Sequence, residues 1–234
     1  MTSQIFFRIN YNLNKINAFT LAEILITLGI IGVVIAITMP ALIANTKKQE
    51  IEARLKKFYA EINQAVVMSQ NEYGDPSGWD SWNINDPQTQ TYEANLAFLQ
   101  KYFLAHLKTT NVKRCENNYV CVTLANGSMF SYGYDNFTFY PLAKIHEEPN
   151  KEYQGKNCFA FIIAPEGHNF GNTNGKGVQP YVGSWNGDYN RLFTSPVYGC
   201  TANKVSCGNI KNKYCTKIIQ MNGWKIPKEY PIKF

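Results

Sequence analysis

The sequence lacks the short motifs that mark common active sites. It contains no G-x-S-x-G, no phosphate-binding loop, no H-E-x-x-H and no pair of carboxylates spaced for acid–base chemistry. Its three histidines, His106, His146 and His168, are scattered. We therefore expect that the protein is not an enzyme and uses no cofactor. A membrane-anchored enzyme is the alternative, which a panel of hydrolase substrates would test.

The first eighteen residues lack acidic side chains and lack an apolar stretch long enough for a secretory signal. In a secretory signal the apolar region precedes the cleavage site and is shorter than the apolar run that follows here. A signal-peptide interpretation requires cleavage inside that run, after Ala36, and leaves Pro40 near the new N-terminus. We keep it as an alternative.

What the sequence does contain is one long apolar segment, Phe19–Ala44, with the sequence FTLAEILITLGIIGVVIAITMPALIA. A helix needs roughly 20 apolar residues to cross the hydrocarbon core of a bilayer, so this segment is long enough to span one. Its one ionisable side chain is Glu23. A charge at the centre of such a helix costs roughly 2.5–3.5 kcal/mol on insertion scales. Because no Lys, Arg or His is close in sequence, Glu23 needs a partner from elsewhere.

The residues A-F-T-L-A-E at Ala18–Glu23, followed by the apolar segment, resemble the processing site of type IV prepilins and type II secretion pseudopilins. The resemblance implies cleavage between Ala18 and Phe19 by prepilin peptidase and methylation of the new amino terminus by the same enzyme. It makes Glu23 the fifth residue of the mature chain. This chain departs from the family pattern at Ala18, where Gly is usual. The partners implied are other pilin subunits and an inner-membrane assembly platform.

Phe19 and Glu23 would then be assembly residues. Cleavage creates an α-amino group whose pKa is near 8, so this group is mostly cationic. A carboxylate four residues further on, within lipid, can be neutralised by the amine of a neighbouring subunit. Such a head-to-tail contact generates an open helical filament when its rotation does not close.

Six cysteines lie beyond the apolar segment, and their even number indicates disulfides formed in an oxidising compartment. A zinc site is the rival, and the absence of any C-x2-C pair disfavours it. Six cysteines allow fifteen pairings. Short spacings suggest Cys115–Cys121 and Cys200–Cys207, which leaves Cys158–Cys215.

The helix of the apolar segment is predicted to continue to Tyr73. Apolar residues recur there at steps of three and four, which defines a single helix face. They are Ile51, Leu55, Phe58, Ile62 and Ala65. Gly74-Asp75-Pro76 is expected to end the helix. We divide the chain into a leader (1–18), a transmembrane or fibre-core helix (19–44), its amphipathic continuation (45–74) and a globular pilin-like domain (75–234).

Further elements are predicted within the globular part. A second helix is expected over Tyr92–Leu107 with Thr91 as its cap. A hairpin joins strands 119–124 and 128–134 through Asn126-Gly127, a pair typical of a type I′ turn. Strands are also expected over 135–140 and 158–164, the latter apolar enough to lie inside a sheet. A short C-terminal helix from Cys215 should be closed by Asn222-Gly223.

Residues 165–188 are rich in Gly and Asn and are predicted to form a long connection. Some relatives of the pilin family bind calcium in such a loop, and Asn186 and Asp188 are the weak candidates here. Calcium needs six to eight oxygen ligands, usually several of them charged. We therefore expect no metal.

The charge distribution gives weaker indications. The formal charge of +6 includes Arg8 and Lys15 of the leader, so the mature side chains sum to +4 and no nucleic-acid partner is expected. More basic residues follow the apolar segment than precede it, and this count favours a cytoplasmic globular part. The cysteines and the processing motif favour the opposite orientation, which we adopt.

Together these features predict an α+β, pilin-like protein in which a long N-terminal helix, transmembrane in its first half, packs on a small antiparallel sheet with disulfides. Its expected function is that of a major or minor pilin or pseudopilin, in a type IV pilus or a type II secretion pseudopilus. It would be a single-pass protein of the bacterial inner membrane, in contact with membrane lipid, before it enters a periplasmic or cell-surface fibre. The alternative is a membrane-anchored extracytoplasmic binding domain, an adhesin or glycan reader that uses the aromatic residues of 165–198.

Overall fold

The computed structural model describes residues 19–80, 86–147, 153–163 and 177–234. The longest element is helix α1, Leu21–Tyr73. The other helices are α2 (Tyr92–Tyr102), α3 (Arg191–Thr194) and α4 (Cys215–Met221). Single 3-10 turns occur at Pro76–Gly78, Pro87–Gln90, Leu104–His106, Glu116–Asn118 and Ala143–Glu147. The chain divides into two compact units at Ile43/Ala44, and we call residues 44–234 the globular unit.

Within the described residues, six strands form one antiparallel sheet in which each strand pairs with the next. They are β1 (Thr109–Arg114), β2 (Val120–Leu124), β3 (Met129–Gly133), β4 (Asn136–Tyr140), β5 (Phe159–Ile163) and β6 (Val178–Pro180). The α+β class, the long N-terminal helix, the antiparallel sheet and the disulfides are confirmed. Strand β6 lies within the segment predicted to be a connection.

The predicted apolar face of α1 forms the core of the globular unit. Leu55, Ile62 and Ala65 are fully buried, and Phe58 is nearly so. The Phe58 ring stacks on that of Phe139 in β4, with 4.2 Å between the ring centroids. Burying an aromatic or large aliphatic side chain is worth about 1.5–3 kcal/mol, so this face holds α1 on the sheet.

Helix α2 is shorter than predicted. Thr91 caps it as expected, because its hydroxyl accepts the Ala94 N–H at 3.1 Å. The helix ends at Tyr102 because the backbone of Phe103 leaves the helical region, and Leu104–His106 form a 3-10 turn instead. Phe103 is fully buried, so tertiary packing outweighs the local preference for a longer helix.

The predicted hairpin is confirmed, but its turn type is wrong. The β2–β3 loop has four residues (125–128) and only Gly127 among them has positive φ, at 79°, whereas a type I′ turn requires positive φ at both central residues. The positive-φ pair occurs in the next connection, at Tyr134 (54°) and Asp135 (59°), where Gly133 pairs directly with Asn136. Asp135 is 1% exposed and its Oδ1 accepts the Tyr132 hydroxyl at 3.2 Å.

Two of the suggested disulfides are wrong. The structure has Cys115–Cys121 as suggested, but pairs Cys158 with Cys207 and Cys200 with Cys215. The Gln154 N–H donates to the Val205 carbonyl at 2.9 Å, which brings the chain before Cys207 alongside the start of β5. The Tyr214 N–H donates to the Tyr198 carbonyl at 3.1 Å, which sets Cys200 beside α4. Proximity in space, rather than in sequence, selects these pairs.

Candidate functional site

The candidate assembly group, Glu23, lies in the first turn of α1 and is bonded to Thr20. Glu23 Oε2 accepts the Thr20 backbone N–H at 2.8 Å and the Thr20 hydroxyl at 2.9 Å. In return, the Thr20 hydroxyl accepts the Glu23 N–H at 3.2 Å. This is a capping box, in which a Thr and a Glu three residues later satisfy free donors at a helix start. The T-x-x-E pattern is a sequence signature of it that our sequence analysis missed.

The cap uses only one of the two carboxylate oxygens. Both donors reach Oε2, and no residue in the described ranges donates to Oε1. Phe19, the predicted first residue of the mature chain, is 80% exposed and precedes the helix. Ala18, on the other side of the predicted cleavage point, lies outside the described residues.

The apolar side chains of α1 that follow Glu23 are exposed within their own unit. They include Leu25, Leu28, Ile31, Val34, Ile37 and Leu42. Among the described residues, α1 is the one helix long and apolar enough to cross a membrane, and none of its apolar stretch is buried. Exposed apolar surface of this extent indicates a membrane or a partner that covers it.

All six candidate cysteines form disulfides. The ligand atoms of Cys115, Cys121 and His146 lie within 4.8 Å of one another, the separation expected of a metal site. The two thiols, however, are joined to each other, so this cluster offers no thiolate to a metal.

The calcium candidates close a turn. Asn186 Oδ1 accepts the Asp188 N–H at 3.1 Å, and Asp188 Oδ1 accepts the Asn190 N–H at 3.0 Å. Both residues are exposed. These bonds give each side chain a local role at the start of α3.

The aromatic residues considered for glycan binding make contacts within the globular unit. Tyr181 is buried and its ring lies 5.3 Å from that of Tyr198. Trp185 donates its indole N–H to the Asp188 carbonyl at 2.7 Å. The Tyr189 hydroxyl donates to a Glu229 carboxylate oxygen at 3.1 Å. Loss of hydration and, to a smaller extent, this hydrogen bond raise the pKa of the Tyr189 phenol. Each polar group is thus engaged within the fold.

The histidines are also separate from one another. His106 Nε2 lies 3.7 Å from a Glu72 carboxylate oxygen, and His146 Nε2 lies 3.7 Å from the Cys121 sulfur. His168 is outside the described residues. No two of them come together with a nucleophile in the part of the chain that the structure describes.

Sequence reasoning missed two polar groups that fix α1 in the globular unit. Glu52, which is 5% exposed, accepts the Ile226 N–H at 2.9 Å and the Lys225 ammonium at 3.0 Å. Asn63 pairs with both backbone polar groups of Val178 in β6, at 2.9 and 3.0 Å. Nothing in the local sequence distinguishes either residue.

These features define the protein first as an α+β protein with intramolecular disulfides and a long N-terminal helix that could cross a membrane. Residues 41–234 match a family of unknown function (DUF6613), and the chain belongs to that family. No curated protein matches the chain, and no solved structure matches it.

Proposed function

We propose that this chain is a pilin-like subunit that assembles into a type IV pilus or a type II secretion pseudopilus through its N-terminal helix. The observation that carries the proposal is the start of α1. There Thr20 and Glu23 of the A-F-T-L-A-E motif cap the helix, no described residue donates to Glu23 Oε1, and the apolar side chains that follow are exposed.

The charge at Glu23 supports assembly between subunits. Two hydrogen bonds from Thr20 compensate only part of the cost of placing a carboxylate in lipid. A cationic α-amino group at Phe19 of a neighbouring subunit would supply the remaining partner at Oε1. One donor and one acceptor per subunit make the contact heterologous, which is the kind that produces open filaments.

The disulfides support the orientation. All three lie within the globular unit, and disulfides persist in oxidising compartments such as the periplasm and the cell surface. An exported globular unit is what a pilin requires.

Intact mass and N-terminal sequence of the protein from membranes of a host with prepilin peptidase test the processing step. We expect a mature chain that begins with N-methylated Phe19, and a full-length chain when the peptidase is absent. A chain that still begins at Met1, or one cut after Ala36, overturns the proposal and leaves an anchored or secreted binding domain.

Three variants separate charge from helix capping in the assembly step. Glu23→Gln keeps a capping side chain but removes the charge, whereas Thr20→Val removes the cap and keeps the charge. We expect Glu23→Gln to be processed but absent from sheared fibres, and Thr20→Val to assemble in reduced amount. The control is Thr38→Val, which removes a hydroxyl that donates to the Val34 carbonyl further along α1 and should assemble normally. Normal incorporation of Glu23→Gln would exclude the charge pairing.

A further inference from the structure

We propose that a lysine-lined groove in the globular unit is a binding site for a phosphate group. The groove has a volume of about 370 Å³. It brings together Lys156, Lys204 and Lys233 from three separate segments, and no acidic side chain lines it within the described ranges. The site is independent of the assembly role proposed above.

Within the described residues, no carboxylate pairs with the lysines of this groove. No ion pair joins the three lysines to a carboxylate of the described residues, in contrast to Lys57, Lys101 and Lys225. Lys204 lies over the Tyr153 ring, with Nζ 5.3 Å from the ring centroid, which positions the ammonium without cancelling its charge. Three ammonium groups around one concavity, with no carboxylate partner among the described residues, attract a multivalent anion, and lysine serves as a point-charge ligand for phosphate.

Gln154, which also lines the groove, provides a second, independent indication. It is 1% exposed, and its Oε1 accepts the Gly208 N–H at 3.3 Å. Its Nε2 is buried and has no acceptor in the described part of the chain. A buried donor without an acceptor is unfavourable, and a small shift of the Gln154 side chain toward an acceptor bound in the groove would satisfy it.

The three lysine-bearing segments are fixed to one another. The Cys158–Cys207 disulfide joins the segment of Lys156 to that of Lys204. The Tyr230 hydroxyl donates to the Gly155 carbonyl, which ties the C-terminal segment of Lys233 to the same loop. Gly155 has φ of 85°, and a Cβ there would lie 2.8 Å from Ile232 Cδ1. The groove is therefore largely formed before any ligand binds, which reduces the entropy lost on binding.

Apolar surface adjoins the charge. Ile232 and Pro231 line the groove beside Lys233. This combination fits either a free phosphate or the phosphate of an amphiphile such as a phospholipid headgroup, and the two share the same ionic contacts.

Calorimetric titration of the full-length protein with inorganic phosphate, in micelles of a nonionic maltoside detergent, tests the site. We expect saturable binding of one phosphate per chain. The Lys156→Gln/Lys204→Gln/Lys233→Gln variant should bind at least about 30-fold more weakly, since each exposed charged contact contributes about threefold or more in affinity.

A matched control removes three exposed lysines outside the groove, as Lys113→Gln/Lys211→Gln/Lys228→Gln, and should change the affinity by less than about twofold. Circular dichroism of both variants verifies the fold. Absence of saturable binding by the wild-type protein, or an equal loss in the control, overturns the proposal.

Titration with short-chain phosphatidylglycerol in the same micelles distinguishes a free phosphate from the phosphate of a lipid headgroup. Tighter binding of the lipid than of inorganic phosphate, lost in the groove variant and kept in the control, assigns the site to a headgroup. Weaker binding of the lipid assigns the site to a free phosphate.

Discussion

Lys213 shows how a single residue can reduce the stability of the fold. It lies just before α4, partly buried, with Nζ 4.4 Å from the centroid of the Tyr181 ring. Loss of hydration lowers the pKa of its ammonium from 10.5 to about 8. The folded state therefore binds fewer protons than the unfolded state between these two values, and stability rises with pH in that window.

We predict that Lys213→Met raises the free energy of unfolding at pH 7 by about 1–2 kcal/mol, because it removes a poorly hydrated charge. The advantage should shrink as the pH rises from 8 toward 10.5 and vanish above 10.5, where Lys213 is neutral in both states. Thermal unfolding of the detergent-solubilised protein at pH 7 and pH 10 measures the difference. Lys211→Met, at an exposed position, is the control; an advantage of Lys213→Met that stays constant with pH would contradict the assignment.

At the scale of elements, helix α1 contacts strand β6 mainly through the side-chain amide of Asn63. β6 is an edge strand of three residues. Asn63 accepts from the Val178 N–H and donates to the Val178 carbonyl, as a neighbouring strand would. The Tyr59 hydroxyl adds a bond to Gln179 at 3.1 Å. Helix α1 therefore covers an edge that would otherwise be open to pairing with other chains.

We predict that Asn63→Ala destabilises the protein by about 1–3 kcal/mol, because it leaves two backbone groups of Val178 without partners. Hydrogen exchange should show loss of protection at Val178, with strands β2–β4 unaffected. Gln64→Ala, at the adjacent exposed position of α1, is the matched control and should change neither quantity. Unchanged exchange at Val178 would show that β6 is held by its pairing with β5 alone.

At the scale of the whole molecule, the disulfides differ in how much chain they close. Cys158–Cys207 spans a sequence separation of 49 residues, whereas Cys115–Cys121 spans 6. The long bridge connects β5 to the C-terminal part of the globular unit; the short one closes a loop next to β2.

We predict that replacing Cys158 and Cys207 by Ser costs about 2 kcal/mol more than the same replacement of Cys115 and Cys121, from the dependence of chain entropy on loop length. Thermal unfolding of both double variants, compared under the same detergent conditions, measures this difference. Equal losses of stability in the two double variants would mean that these disulfides do not act mainly by restricting the unfolded chain.

The sequence by itself determined the features that depend on neighbouring residues. The spacing of Leu55, Phe58 and Ile62 fixed the buried face of α1, and Gly74 fixed its end, with φ of 79° just after Tyr73. These features could be predicted because helical periodicity and turn chemistry act over a few residues. The T-x-x-E cap at Thr20–Glu23 was equally local and could have been found.

Only the tertiary structure decided which distant residues meet. Cys158 pairs with Cys207 rather than Cys215, and Asn63 lies against β6, because the order of the strands and the path of the C-terminal segment set those distances. The lysine groove arises in the same way, from segments far apart in sequence. Many chain paths satisfy the same local preferences, and the packed core selects one of them.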